Sequence, residues 1–209
     1  MKILIIGATR GIGRCLAGQA VEMGEQVTVL VRDASQLHDP RPNLFVVRGD
    51  ILDRSCVEET MKSQEAVCIV IGIPPTRKPV HVFSEGTRNV VDAMNKCGLN
   101  RLVCVTGIGA GDSRGHGGFL YNRIVQPLLL KTIYADKEKQ EELVRASGLA
   151  WTVVRPGFLT NGPRTGHYRV ITDMTGVKAR KISRADVADY LLKELKTGTD
   201  VGKTVFIDA

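Results

Sequence analysis

Lys2-Ile3-Leu4-Ile5-Ile6-Gly7-Ala8-Thr9-Arg10-Gly11-Ile12-Gly13 opens the chain, and helical spacing runs from residue 11 to residue 23. The apolar run predicts a strand over 2–6, and the glycines predict a tight turn that feeds straight into a helix. Each glycine has its own task. Gly7 permits the sharp exit from the strand, Gly11 lets the backbone approach a pyrophosphate, and Gly13 lets helix and strand pack closely. An anion then rests on the unsatisfied N–H groups at the helix N-terminus. Three glycines by themselves carry little weight. Their place between strand and helix, ahead of a second apolar run at 26–31, points to a dinucleotide-binding unit.

Outward from that turn, further runs rich in Val and Ile predict strands at 44–48, 65–72, 101–106, 150–154 and 204–207. Helical spacing predicts helices over 80–97, 119–147 and 184–196. This alternation implies an α/β fold of the Rossmann type: a doubly wound, mostly parallel sheet of about seven strands with helices on both faces. Val90, Val91, Met94 and Cys97 are spaced as one buried helical face. Ser183 followed by Asp186 resembles a capping box, opening a helix whose Val187, Tyr190, Leu191 and Leu195 point inward. The 209 residues suit a single NAD(P)-binding domain with small substrate-side elements in 107–120 and 157–182. Gly107 to Gly118 is the longest loop expected.

Hydrophobic residues make up 43% and charged residues 24%, an ordinary balance for a soluble globular chain. A chain of this length buries about 70% of its unfolded surface, so neither disulfides nor a metal are required. The longest apolar stretch, Ala66 to Ile73, is far short of the roughly 18 residues that span a bilayer. Together with the abrupt start into a strand, this predicts a cytoplasmic protein without a membrane partner. Cys15, Cys56, Cys68, Cys97 and Cys104 form no Cys-x-x-Cys pair and are read as free, packed thiols, with no metal site. Lys and Arg exceed Asp and Glu to give a net charge of +7, which raises the question of nucleic acid. The positive charge is dispersed and aromatics are only 5%, so a small anionic molecule is the better partner. The expected state is a monomer or homodimer.

In dinucleotide folds the residue ending the second strand reads the adenosine ribose: an acid accepts from the 2′-hydroxyl, and an arginine accommodates a 2′-phosphate. Arg32 stands there, followed by Asp33. With Arg10 adding a second positive charge, NADP(H) is expected to be preferred, while Asp33 leaves NAD(H) admissible. Asp50 and Ile51 follow the third strand, where Asp50 either flanks the adenine or caps the next helix. Gly72, Ile73 and Pro74 end the fourth strand at the edge expected to border the nicotinamide ribose.

With those residues in view, the sequence resembles the atypical short-chain dehydrogenase/reductases, in particular the biliverdin-IXβ reductase/flavin reductase group and its bacterial NAD(P)H-binding relatives. The resemblance runs through Val27-Thr28-Val29-Leu30-Val31-Arg32-Asp33, Gly49-Asp50-Ile51 and Ser84-Glu85-Gly86-Thr87-Arg88-Asn89-Val90-Val91. It continues through Ala146-Ser147-Gly148-Leu149, Arg155-Pro156-Gly157, Thr165-Gly166-His167-Tyr168 and Ile182-Ser183-Arg184-Ala185-Asp186. It implies an NADPH-dependent reductase of flavins, quinones or linear tetrapyrroles. It also implies that Gly7, Thr9, Arg10, Gly11, Ile12, Gly13, Arg32, Asp50, Ile51, Gly72, Ile73 and Thr106 line the cofactor, and that Pro156 and Gly157 approach the nicotinamide. Gly107, Phe158 and Gln36 stand where the flavin reductase has a serine, a histidine and a second arginine, so the implied substrate pocket differs in kind.

The branch of this superfamily with a catalytic tetrad uses Tyr-x-x-x-Lys, in which lysine lowers the tyrosine pKa so that it can protonate a developing alkoxide. Here Val125, Glu138, Thr172 and Glu194 lie four residues after the four tyrosines, so that motif is absent. Tyr134 and Lys137, three apart, can still share a helix face as acid and modulator, or be plain helix surface beside Lys131 and Lys139. The resemblance implies that Lys137 alone reaches the cofactor ribose. Thr106 is either a ligand of cofactor or substrate or an ordinary strand-end threonine. His81, His116 and His167 have no metal-ligand spacing, and His116 lies in the glycine-rich loop beside Arg114. Lys178, Arg180, Lys181 and Arg184 form a basic cluster that either draws an anionic acceptor or is a solvated face. Trp151 belongs to core or sheet edge. A conjugated acceptor delocalises the charge of an added hydride and needs no placed acid, so the lost tetrad agrees with flavin, quinone or bilin reduction. The competing expectation is a non-catalytic redox sensor of the NmrA type. A nucleotide-sugar epimerase is disfavoured, because about 50 residues after Pro156 leave little material for a sugar lobe.

Overall fold

β1 (Lys2–Ile6) lies in the middle of the sheet and divides its side chains between the two faces. Ile3 and Ile5 enter one core, Leu4 and Ile6 the other, as a strand period of two requires. A computed structural model of the chain describes residues 1–37, 41–110, 123 and 130–209. After β1 come α1 (Gly11–Glu22), β2 (Gln26–Val31), a 3₁₀ turn (Ala34–Gln36), β3 (Leu44–Arg48), α2 (Arg54–Met61), β4 (Ala66–Ile69), α3 (Val82–Cys97) and β5 (Arg101–Val105). The chain continues with α4 (Lys131–Arg145), β6 (Ala150–Pro156), β7 (Phe158–Thr160), β8 (Arg169–Ile171), β9 (Lys181–Ser183), α5 (Arg184–Thr197) and β10 (Lys203–Asp208).

Eight strands form one sheet in the order β3-β2-β1-β4-β5-β6-β10-β8, parallel throughout except for β8, which pairs antiparallel with β10. β7 and β9 make a separate parallel pair. The order reverses between β1 and β4, and in doubly wound sheets the ligand crevice opens there, beyond the carboxyl ends of the strands. α1 and α5 cover one face, where Leu16, Ala20, Val187 and Leu191 pack on Val27, Val29 and Cys68. α2, α3 and α4 cover the other, with Val57, Val90, Met94 and Val144 against Val67, Ile69 and Leu102. This is the Rossmann-type architecture expected from the sequence.

Some expected boundaries change. The helix expected over 80–97 begins at Val82, and its buried face runs through Phe83, Thr87, Val90 and Met94, leaving Cys97 exposed and Val91 half-buried. In the helix expected over 119–147, α4 occupies 131–145, and 119–122 and 124–129 lie outside the described residues. Residues 111–118 of the expected glycine loop, with His116 and Arg114, lie outside them too. α2, which the sequence reading gave no bounds, is the helix that Asp50 was expected to cap under one of its two readings. Asp53, not Asp50, caps it by accepting from Cys56 N at 3.1 Å; Asp50 instead accepts from Leu52 N at 3.0 Å in the turn before it. The Ser183 cap is as expected: its Oγ accepts from Asp186 N at 2.9 Å. Trp151 is half-buried on β6 against the α3 side of the core.

The glycine turn is held by close backbone approach. A Cβ on Gly13 would lie 2.2 Å from the Gly7 carbonyl oxygen, and one on Gly7 would lie 2.6 Å from the Val70 carbonyl oxygen, with φ of +103° there. Both contacts are with backbone and cannot be relieved by a side-chain rotation. Gly18, in the middle of the same helix, has nothing within 4 Å of its would-be Cβ. Gly13→Ala is therefore expected to lose about 1–3 kcal/mol by overpacking, and Gly18→Ala to gain up to about 1 kcal/mol in helix propensity. Urea unfolding of the two variants checks this, and a Gly13→Ala protein as stable as wild type contradicts it.

Candidate cofactor and active site

Among the described residues, no side chain caps the N-terminus of α1. Its N-cap, Arg10, makes no side-chain cap and its first turn carries no acid, in contrast with α2 and α5, which Asp53 and Ser183 cap. The exposed Arg10 side chain crosses instead to β4, its Nη2 donating to the Gly72 carbonyl at 3.2 Å. This strap brings Gly72 and the half-buried Ile73 alongside Gly7, Thr9 and Gly11, while Ile12 turns down into the core. Register puts Arg32 on the same edge: Ile6 pairs with Leu30, so Arg32 follows the end of β2 beside the turn. Arg32 is exposed. Asp33 is engaged locally, accepting from Ser35 N at 3.0 Å and Ser35 Oγ at 2.7 Å.

Ile51 is 5% exposed and wedged under α3, where a Cβ on Gly86 would meet its side-chain carbons at 2.8 Å. Asn89 Nδ2 donates to the Ile51 and Leu52 carbonyls at 3.0 and 3.2 Å. Thus Gly86 and Asn89 of the Ser84–Val91 stretch hold the 50–52 turn against the sheet edge. Gly157 is packed from the other side: a Cβ there would lie 2.4 Å from the Arg180 carbonyl, so the step after Pro156, between β6 and β7, admits no side chain at Gly157.

Beneath the edge lies a buried polar web between α4 and the ends of β5 and β6. Arg155 and Glu141 form a two-pronged ion pair, Nε to Oε1 at 2.9 Å and Nη2 to Oε2 at 2.6 Å. Thr106 Oγ1 donates to Glu141 Oε1 at 2.6 Å, and Arg145 Nη2 reaches Oε2 at 2.8 Å. Burial alone raises the Glu141 carboxyl; the Arg155 guanidinium, the Thr106 hydroxyl and the Arg145 charge outweigh it and hold it below the ordinary value. One turn earlier on α4, Lys137 Nζ donates to the Thr106 carbonyl at 2.5 Å and lies 4.9 Å from the Phe83 ring centre. Burial pushes the Lys137 ammonium down to about 8, against opposing attraction from Cys104 and Glu141. Asp136 serves as the cap that α3 lacks, accepting from Phe83 N at 2.9 Å and Ser84 N at 3.3 Å and bonding the Ser84 hydroxyl.

Thr106, Lys137 and Tyr134 therefore gather at one place. The Tyr134 hydroxyl lies 3.2 Å from where a Gly107 Cβ would sit, beside the Thr106 carbonyl that Lys137 holds. The reading of Tyr134 and Lys137 as helix surface is corrected: Lys137 is 8% exposed and Tyr134 half-buried. The expected basic cluster does not form as one patch. Lys178, Arg180 and Lys181 are exposed, whereas Arg184 is half-buried against Gly11. His81 and His167 are exposed. Among the described residues no group of three His, Cys, Asp or Glu side chains is placed for a metal, and no helix is long and apolar enough to cross a membrane. Glu141 and Asp136 escaped the sequence reading, and Arg155 entered it only as part of the Arg155-Pro156-Gly157 motif, without a role. The four-residue step from Lys137 to Glu141 was the available signal, since it puts both on one helix face.

These features fit a dinucleotide: an uncapped helix start, a glycine cradle that side chains would fill, and arginines along its rim. A family model described as NAD(P)H-binding matches residues 7–197. The chain belongs to this NAD(P)H-binding family. An uncharacterized chloroplastic protein of Arabidopsis thaliana is 30% identical over 208 residues, covering 93% of this chain and 71% of that one. The 3-diazoavenalumate denitrifying reductase of a Streptomyces species is 33% identical over 185 residues, 81% of this chain and 59% of that protein. Among solved structures, ChuY, an anaerobilin reductase from Escherichia coli O157:H7, shares the fold with a TM-score of 0.81 at 21% identity, covering 99% of this chain and 96% of that one.

The Lys137 position generates a pH test. From about pH 8 to the ordinary lysine value of 10.5, the unfolded chain keeps a proton that the folded chain has released, so this group makes stability rise with pH in that window. Denaturant unfolding of wild type and Lys137→Met at pH 8 and pH 10 is expected to give a more positive pH slope for wild type. Equal slopes would remove the assignment.

Proposed function

We propose that this protein is an NADPH-dependent oxidoreductase that transfers hydride to a conjugated acceptor of the flavin, quinone or bilin type. The observation that carries the reading is the cationic rim of the glycine turn. Arg10, Arg32 and Arg184 lie along it, Arg14 follows in the first turn of α1, and among the described residues none of the four is ion-paired to a carboxylate. Cations beside the positive end of a helix dipole are unfavourable on their own account, and a multiply charged anion relieves both. Arg32, with Asp33 occupied by Ser35, is the reader of a 2′-phosphate, which favours NADP(H) over NAD(H).

A bound nicotinamide supplies the hydride. The chain's own part is to hold it and to leave the acceptor room over the strand ends. The turn 7–13 binds the pyrophosphate, Asp50 and Ile51 border the adenosine, and Gly72, Ile73, Pro156 and Gly157 border the nicotinamide half. Thr106 gives its hydroxyl hydrogen to Glu141, so it offers a substrate only acceptor lone pairs. Lys137 positions the Thr106 carbonyl and is available to the ribose hydroxyls, and Tyr134 is the nearest protein acid. With no Tyr-x-x-x-Lys pair, the acceptors best matched are those whose reduced form spreads its charge and takes its proton from water. The reductase names carried by the Streptomyces and Escherichia coli proteins support a reductase role and leave the acceptor to be tested.

The lost tetrad also suits a non-catalytic redox sensor, and turnover separates the two. Purified protein is expected to oxidise NADPH with flavin mononucleotide, a small quinone or a bilin, and to leave simple aldehydes and ketones untouched. Binding without turnover for any acceptor would favour the sensor; reduction of simple carbonyls alone would overturn the conjugated-acceptor reading. NADPH is expected to bind at least about threefold more tightly than NADH, and Arg32→Ala to weaken NADPH by about 10- to 100-fold with little change for NADH.

A further inference from the structure

The first residue of α5 reaches back across the sheet edge to the first turn of α1. The point where a Gly11 Cβ would sit is 3.7 Å from Arg184 Nε and 3.8 Å from Arg184 Cδ. Gly11 has φ of +61° and is the glycine that lets a ligand's phosphates approach the backbone. Cys15, one turn further along α1, also feels the Arg184 charge. The side chain is half-buried, and its one hydrogen-bond partner among the described residues is neutral: Nη1 donates to Asn161 Oδ1 at 2.8 Å. A guanidinium has five N–H donors in a planar fork, so one amide leaves most of them seeking acceptors.

Nothing among the described residues accounts for a cation at this spot. The uncapped start of α1 carries partial positive charge, Arg10 and Arg14 already stand beside it, and α5's own cap is completed by Ser183 and Asp186 without Arg184. Asn161, in the segment after β7, holds the guanidinium by one edge and leaves the rest of the fork available. The arrangement makes electrostatic sense when a doubly charged group lies between the α1 amides and the fork.

We propose that Arg184 binds the cofactor's pyrophosphate from the α5 side, closing over the glycine turn, and that Asn161 is the positioning residue that aims it. This rests on the NADPH reading above. It separates Arg184 from the exposed Lys178, Arg180 and Lys181: its ligand is the cofactor, and it is not a collector of anionic acceptor. It also makes the segment between β7 and α5 responsive to whether cofactor is bound, since Asn161 and Arg184 stand at its two ends.

The test is titration calorimetry of the full chain with NADPH, alongside competition by two fragments: ADP, which carries a diphosphate, and 2′-AMP, which does not. Arg184→Gln is expected to weaken NADPH and ADP by about 10- to 100-fold and 2′-AMP by less than about threefold. Arg184→Lys should recover part of the loss, because it restores the charge without the fork. Asn161→Ala should show the same pattern on a smaller scale. Unchanged NADPH binding in Arg184→Gln, or equal losses for ADP and 2′-AMP, overturns the proposal while leaving the cofactor reading intact. A wild-type protein that binds no pyridine nucleotide overturns both. Should Arg184→Gln fold poorly, Arg184→Lys carries the decision: full wild-type affinity there with both fragments refutes a role for the fork.

Discussion

The approach of Gly13 to the Gly7 carbonyl, too close for any side chain between them, is the contact on which the rest of the molecule depends. It seats α1 directly on the strand ends, so the uncapped amides of the helix face the crevice between β1 and β4. The same seating settles how α1 meets α5, where Gln19 Nε2 donates to the Ala185 carbonyl at 2.9 Å. That contact in turn brings Arg184 to the turn. A helix displaced far enough to admit an alanine at Gly13 would disturb the anion cradle and the α1–α5 contact together.

On the opposite face the organising element is charge rather than close backbone packing. Burying Arg155 and Glu141 costs several kcal/mol in desolvation, which their paired hydrogen bonds and Thr106 offset. What this web confers is placement. It commits the Thr106 hydroxyl to Glu141 and leaves the carbonyl to Lys137, so the end of β5 is held from two points on α4. Asp136 extends the arrangement to α3, and Gly86 and Asn89 carry it on to the Asp50 turn. The 50–52 turn and the Thr106–Gly107 step after β5 are thereby joined through one continuous set of contacts. Cys104, buried beside Lys137, is an inert part of this layer, since burial pushes its thiol up to about 12.

The sheet was largely legible because most of its strands, β1, β4 and β5 above all, are buried on both faces and read as unbroken apolar runs; β3, largely exposed, still reads as a strand from its Leu44–Val47 run. β7, β8 and β9 were not legible, being three residues each, with no run long enough to declare a period. The bounds of α2 were hidden for a related reason: only Val57, Thr60 and Met61 of its eight residues are buried, too few to mark an amphipathic face. The glycine turn, the Arg32 position and the Tyr134–Lys137 pair could be named in advance because each depends on local order or short spacing.

From the sequence alone came the strand–turn–helix that binds a dinucleotide, the alternation that builds a doubly wound sheet, and the absence of Tyr-x-x-x-Lys. These are properties of neighbours along the chain. Only the tertiary structure decided that Glu141 pairs with Arg155, that Asp136 caps a helix 53 residues away, and that Arg184 lies over Gly11 instead of joining the lysines beside it. Each of those pairings joins side chains on different elements, and their separation depends on how helices sit across the sheet. Residue spacing carries no measure of that distance.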